Sequence, residues 1–582
     1  MQLNFEEKAV RYIMEWGEWI EKLQLLAALN IDVNRAKIYL NKLIKLQKSN
    51  GGFARNWKPD NSPGIFETAL ALELLSKIKF NGEALDKAAK FLIQKQIDDG
   101  SWISEEDDWT MRRRVTLTTA KVLKSLIIYG KVKDETIDKA LKYLSYTQRD
   151  DGLWLRSSTE NEIDLEASSE AILALLQLKN DQAIKMAKFG VEALWNWLVE
   201  RFTSEWLEPP KEALSIAKAL IIAGYGETEA VKRILQNYVK AEKWNFSDRR
   251  SISTSEAIKI FEILLMSKAI DEEVARKEVE KIISIKEELK KIVNEKEDEV
   301  KKYFLIRFEE IGIKPNDKIN KILLGCFLYA MLDQFFWASE EFDPLIEYRS
   351  IVNLIGDVSK IDNYTNFENV KQAFFKIRAL RGIARKRKNQ VAKSISLFAK
   401  FISKYSEFRN FKDFAEKLRA YTLFEVAQHI SGWDSAYNLG LLLRSFSKAE
   451  KTINKLVEST KLALECYPAV GSKIASLFLF YAFWIFNLWP EVKQYIKCPI
   501  DWNVVKPYGN LGLSCMTLNE LRRDPKKASQ VIYKLAEELF PNDPAKISFL
   551  WIVGHEWCTK PYRCRDFIGR KCWIYNLCRR AG

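Results

Sequence analysis

At 582 residues the chain is longer than a single hydrophobic core ordinarily supports, so two or more domains are expected. Apolar residues make up 47% and aromatics 12%, which excludes a disordered chain. The net charge of +14 is lodged at one end, about +20 over residues 371–582 against about −6 over residues 1–370, so an anionic partner is expected on the second half.

Met1 to Glu7 is polar and runs into amphipathic sequence with no secretory signal, and the expected location is cytoplasmic and nucleoid-associated. The longest apolar stretch, Ile474 to Trp489, is 16 residues and contains Ser476 and Asn487. A spanning helix needs roughly 20, so a buried core helix and no membrane span are expected. Two histidines, His429 and His555, with abundant Lys, Glu and Ile, point to a heat-adapted composition.

The amino-terminal half repeats one pattern three times: LNKLIKLQKSNGGF ending at Phe53, KFLIQKQIDDGSW ending at Trp102, and KYLSYTQRDDGLW ending at Trp154. Each sets a Gln, a Gly four residues on and an aromatic two further: Gln47/Gly51/Phe53, Gln96/Gly100/Trp102 and Gln148/Gly152/Trp154, with fainter echoes near Trp206 and Trp244. Runs of helical periodicity separate the turns, from Glu67, Thr116 and Ser168, so the unit is a helix pair closed by a Gly turn. These segments resemble the QW repeats of terpenoid cyclases and the related prenyltransferase-type toroids over roughly residues 1–270. The resemblance implies an α/α toroid of inner and outer helices.

A protein prenyltransferase holds zinc with Asp, Cys and His, and residues 1–270 contain neither Cys nor His, which excludes that activity. A cyclase that begins by protonation needs a DxDD-type run to keep one carboxyl protonated. Asp164-Leu165-Glu166-Ala167 is incomplete and is expected to be solvated carboxylates at a helix start, and Glu105 to Asp108 to be a surface loop. The toroid is therefore expected to be a scaffold or binding module for an unknown ligand or protein, with an isoprenoid enzyme as the alternative. Residues 271–312 are charge-dense, without Pro and with Gly only at position 312, and are expected to be a solvated helical linker.

Residues 313–582 return to apolar helices. LLGCFLYAMLDQFFWASEEF reads as a buried helix that passes Gln334, and Arg381, Arg385, Lys386, Arg387, Lys388 and Lys393 then open a basic helix able to follow a phosphate backbone. CYPAVGSKIASLFLFYAF holds Pro468, Ala469, Val470, Gly471, Ser472 and Lys473; PIDWNVVKPYGNLGL begins at Pro499 and holds Asp501. The tail places Cys558, Cys564, Cys572 and Cys578 after the flank FLWIVGHEW. A terminal cluster of four cysteines in an intracellular chain suggests metal rather than disulfides.

These three segments, in this order, resemble the LPGVGRKTA hairpin, the PVDTHVxRVxxRLGL segment and the Cys-x6-Cys-x2-Cys-x5-Cys loop of the helix-hairpin-helix (HhH-GPD, endonuclease III-like) DNA glycosylases. Ala469 replaces the first hairpin glycine, Trp502-Asn503 replaces Thr-His, the 28 residues from Lys473 to Asp501 exceed the usual separation by about ten, and the middle cysteine interval is five residues longer. The resemblance implies an all-α domain that grips duplex DNA through Gln334 and the hairpin residues 468–472, where a Gly-containing turn and a helix N-terminus admit a phosphate. It implies Lys473 as a nucleophile on the sugar C1′, unprotonated because burial depresses its pKa, and Asp501 as the carboxylate countering oxocarbenium-like charge. As ordinary helix residues they would be a structural Lys and a helix-capping Asp.

The four cysteines would hold a [4Fe–4S] cluster, with zinc as the runner-up metal. The function implied is a base-excision glycosylase acting on double-stranded DNA that contains a damaged or mismatched base, with AP-lyase activity where Lys473 attacks. The alternative is a noncatalytic DNA- or partner-binding protein of the same fold.

Overall fold

In the computed structural model the residues described are 4–104, 113–178, 180–201, 212–239, 253–333, 344–377, 380, 383–405, 407–430, 433–446, 452–558 and 572–581. They are helical almost throughout, with one two-residue strand pair, Phe53–Ala54 against Pro63–Gly64. The chain divides into two compact units, residues 1–284 and 285–582. Among the described residues no helix is long and apolar enough to cross a membrane.

The first unit alternates outer and inner helices. The outer set is α1 (Phe5–Trp16), α3 (Lys37–Ile44), α5 (Glu83–Gln94), α7 (Asp134–Thr147), α9 (Asp181–Arg201) and α11 (Glu229–Val239); the inner set is α2 (Trp19–Ala28), α4 (Ile65–Lys77), α6 (Val115–Tyr129), α8 (Leu165–Leu175), α10 (Glu212–Leu220) and α12 (Thr254–Met266). Each inner helix packs on the next, α2 on α4, α4 on α6 and so to α12, which returns to α2 and closes the ring. Sequence separates the two sets. Outer α5 buries Ala88, Ala89, Phe91 and Leu92 and turns its charges to water, whereas inner α8 buries eight of its eleven residues, Ser168 and Ser169 among them.

The repeated turns set the step from one pair to the next. The Gln47 side-chain amide donates to the Gly51 carbonyl at 2.9 Å and to the Ala84 carbonyl at the start of α5 at 2.8 Å. Gln96 does the same to Gly100 and Thr136, and Gln148 to Gly152 and Met186, each bond 3.0 Å. Both amide hydrogens of each Gln therefore tie the end of one outer helix to the beginning of the following one. The backbone N–H of Phe53, Trp102 and Trp154 then donates to a hydroxyl on the succeeding inner helix, Thr68, Thr119 and Ser168. Gly51, Gly100 and Gly152 have φ of 92°, 89° and 89°, and a Cβ at Gly100 would collide with the Lys139 carbonyl on α7. The fainter echoes at Trp206 and Trp244, like Glu105 to Asp108, lie outside the described residues.

Two expectations change. Asp164 is not solvated but buried, its carboxylate held by the Arg114 guanidinium at 2.6 and 2.7 Å while it caps α8 through the Ala167 N–H. The charged segment 271–312 forms α13 (Glu272–Glu295) and α14 (Glu297–Glu310), and its charges are partly internal: Glu278 takes a 2.6 Å bond from Arg11 within the first unit, and Lys286 pairs with Glu538 at 2.7 Å within the second. The division between units falls inside α13.

The second unit is built around the helix Ile319–Asp333, buried on nearly all sides and packed on the basic helix Arg385–Lys404 and the hairpin helix Ser472–Leu479. Phe327 stacks on Phe398 at 4.1 Å, with Tyr467 and Phe478 edge-on, so the hairpin is anchored in an aromatic core. The apolar stretch Ile474 to Trp489 is buried up to Phe486, and it breaks from α- to π-helical pairing at Phe480–Ile485 instead of continuing as one helix.

Replacing Gly100 with Ala should destabilise the first unit by about 3 kcal/mol, through the left-handed backbone and the collision with α7. Gln96→Ala should cost about 1–2 kcal/mol by stranding two carbonyls, and Gln96→Glu more, because a carboxylate would face both oxygens without a donor. Denaturant unfolding of the three variants checks the order.

Candidate active site

The hairpin turn joins the helix Ile453–Glu465 to Ser472–Leu479. Ala469 sits at φ 61°, the left-handed conformation that glycine adopts without strain, so the chain bends here as a Gly-containing hairpin would. Pro468 and Val470 point into the core, and the outward face of the turn is Ala469, Gly471 and Ser472. A Cβ added at Gly471 would meet nothing within 4 Å, so the ground over the helix N-terminus is open. That N-terminus has no side-chain cap and no acid in its first turn, which leaves its N–H groups for an anion.

The basic helix begins the same way, uncapped at Ala384 and without an acid, while Arg385, Lys386 and Arg387 stand exposed against its own dipole. Lys388 departs from the expected outward row: its chain is buried with the ammonium 4.9 Å from the Phe375 ring. Ser394 of this helix donates to the Pro468 carbonyl and ties it to the hairpin.

Lys473 and Asp501, 28 residues apart in sequence, meet. Lys473 Nζ lies 2.9 Å from Asp333 Oδ2 and 3.6 Å from Asp501 Oδ2. Asp501 divides its two oxygens. Oδ1 accepts the Asn503 N–H at 2.9 Å and caps the helix Trp502–Asn510, while Oδ2 faces Lys473 and accepts Trp551 Nε1 at 3.2 Å. Gly554 makes this possible. A Cβ there would overlap the Asn503 backbone carbonyl, so only glycine lets the segment after Phe549–Val553 lie directly on the helix that Asp501 caps.

A cavity of about 20 Å³ lies between Asp333, Lys473, Tyr481, Cys498, Asp501 and Trp551, room for a single water. Behind it the Trp551 ring stacks on His555 at 4.9 Å, and Tyr303 donates to Glu556 at 2.7 Å with the Arg307 guanidinium 4.0 Å above its ring. Hydrogen bonds from His555 and Tyr303 hold Glu556 down at about 2.

The electrostatics differ from the expectation for a nucleophilic lysine. Burial alone would lower the Lys473 pKa, but Asp333 and Asp501 together outweigh it and raise it above the ordinary value. Burial raises that of Asp501, with Asp333 adding to the rise and Lys473 opposing it. Asp333 and Trp551 are therefore parts of this site that motif reading missed. Asp333 precedes Gln334, and Trp551 lies within the flank FLWIVGHEW, so both stood beside residues already singled out.

Gln334 and Cys564 lie outside the described residues, as do Arg381 and the stretch 559–571. Of the other cysteines, Cys558 and Cys572 are buried and Cys578 is partly so. Trp557 and Trp573, each next to a cysteine, pack 5.3 Å apart, and Phe549 stacks on Trp573 at 5.1 Å, so the segments bearing Cys558 and Cys572 are brought together. Lys506 donates to the Cys558 carbonyl and links this corner to the Asp501 helix. Buried thiols on converging segments are a donor set that suits a thiolate-bound metal or cluster; among the described residues alone, no complete group of metal-binding side chains is assembled.

An all-helical ring of outer and inner pairs, stitched by Gln-Gly-aromatic turns, defines the first unit as an α/α toroid. Residues 13–207 match the family model of the prenyltransferase alpha-alpha toroid domain. No curated protein matches the chain.

Gly554→Ala should destabilise the second unit by about 3 kcal/mol or more, since the obstruction is backbone and not a side chain that can turn aside. Asp333→Asn should lower the Lys473 pKa relative to wild type, measured by pH titration of the isotopically methylated lysine signals.

Proposed function

We propose that residues 285–582 form a DNA N-glycosylase that excises a damaged or mismatched base from duplex DNA. The observation that carries this reading is the meeting of Lys473 and Asp501 in one pocket, directly after a hairpin whose Ala469 adopts a glycine-like bend. The open N-terminus at Gly471 and the exposed Arg385, Lys386 and Arg387 supply donors and positive charge for the DNA backbone, with Gln334 assigned to the gap left by the extruded nucleotide. Asp501 Oδ2 stands ready to counter the charge that develops on the sugar as the base departs. The small cavity beside it suits the water that hydrolytic release consumes.

Lys473 bears a proton held by two carboxylates, so as a nucleophile it must first pass that proton on, and Asp333 at 2.9 Å is the nearest acceptor. The AP-lyase step is thus the slower activity. Cys558, Cys564, Cys572 and Cys578 would hold a [4Fe–4S] cluster, whose part is to fix the loop that carries Arg563, Arg565, Arg570 and Lys571 against phosphate; zinc is the runner-up. The same proton on Lys473 favours a second reading, a DNA-binding protein of this fold without catalysis.

Duplexes bearing an abasic site or assorted damaged bases, incubated with the protein and borohydride, test the proposal. Base release is expected to fall at least a hundredfold in Asp501→Asn, and the covalent adduct to vanish in Lys473→Ala. Because only the free amine attacks and the Lys473 pKa is raised, adduct formation should climb about tenfold per pH unit between pH 7 and 9. Neither base release nor adduct, with duplex binding retained, leaves the second reading. Iron and a broad visible absorbance in purified protein, lost in Cys572→Ser, would identify the cluster; zinc without absorbance would replace it.

A further inference from the structure

The interior of the toroid contains a cavity of about 290 Å³ adjoining a second of about 250 Å³, and the two share Glu73, Lys124, Leu173, Lys218 and Glu262. With Glu170 on α8, these charged residues form a layer drawn from five successive inner helices with alternating sign. Lys124 on α6 reaches Glu73 on α4 at 3.2 Å and Glu170 on α8 at 2.9 Å, and Lys218 on α10 pairs with Glu262 on α12 at 2.9 Å. Burial would raise Glu170, yet Lys124 and Lys121 hold it down at about 2.

One helical turn away the balance is incomplete. Lys121 is 3.6 Å from Glu166, a carboxylate already taken by Arg114 at 2.9 Å, and its ammonium rests 4.4 Å from the Phe66 ring. Lys259 on α12, across the ring, has no ion-pair partner among the described residues. Both lysines line the larger cavity, together with the hydroxyl-bearing Ser169, Ser215 and Ser255.

The larger cavity is lined by four glutamates and four lysines. A hydrocarbon chain would leave Lys259 without a counter-charge, and a diphosphate would need a surplus of cations and would meet four carboxylates. Equal numbers of both signs match a molecule that is neutral overall and carries one charge of each kind.

We propose that the toroid cavity binds a small zwitterion, its carboxylate between Lys121 and Lys259 and its ammonium at the Glu170–Glu262 layer. The site is independent of the DNA-directed reading of the second unit. The two charged layers are about one helical turn, roughly 5.4 Å, apart, which selects a short spacer between the ligand's charges.

The test is ligand-observed NMR on the full chain with the ω-amino acids from 3-aminopropanoate to 6-aminohexanoate, each at millimolar concentration. Butyrate and butylamine serve as single-charge arms and geranyl diphosphate as the isoprenoid arm. At least one ω-amino acid is expected to bind. Its affinity should fall at least tenfold in Lys259→Ala, an exposed change that leaves the core intact, and in Lys121→Met, while butyrate and butylamine bind at least tenfold more weakly. Absence of binding by every ω-amino acid overturns the proposal. So does tighter binding of geranyl diphosphate, or zwitterion binding unchanged in both variants.

Discussion

A ring of helix pairs closes only if every pair is stepped from the last by the same rotation, and the two-handed hydrogen bond of a glutamine amide sets that step. Gln47, Gln96 and Gln148 each spend one N–H on the carbonyl of the turn glycine and the other on a carbonyl of the next outer helix, so an error in one angle costs two bonds. The glycine four residues on bends left-handed and passes against the next outer helix, and the aromatic anchors the turn to the next inner helix. The ring interior, and every group that lines it, inherits its position from these turns.

The second unit solves a different problem, bringing distant residues to one point. Lys473 follows a tight hairpin, Asp501 caps the next helix, Asp333 ends the central helix, and Trp551 arrives from the segment that Gly554 lets down onto the Asp501 helix. The result is a half-buried triad of one cation and two carboxylates in which the two carboxylates raise the lysine pKa. A lysine placed between two carboxylates is a proton store first and a nucleophile second.

Much of the toroid was legible because its signal is local and repeated: the Gln-Gly-aromatic spacing recurs, and only one backbone geometry fits it. The pairing of Lys473 with Asp501 was legible through motif order. Asp333 was not, since a lone aspartate closing an apolar helix carries no periodicity and acquires meaning only when a residue 140 positions later comes within 2.9 Å. The burial of Asp164, at a helix start, and of Glu278, within a charged helix, escaped the sequence for the same reason: such an acid reads as solvated until its arginine, 50 or 267 residues away, is seen to reach it. Lys388 shows the converse, a cation in a basic run whose apolar stem is what the fold uses.

The alternating glutamate and lysine layer inside the toroid also bears on how the ring responds to heat. Holding ions away from water costs free energy near room temperature, and that cost shrinks on warming because the hydration of charged groups grows less favourable. The attraction across Glu73, Lys124 and Glu170 persists meanwhile, so the ring's interior holds together relatively better as the temperature climbs. An ion-paired ring interior of this kind therefore responds to warming differently from a purely apolar one, whose stabilisation per unit area levels off.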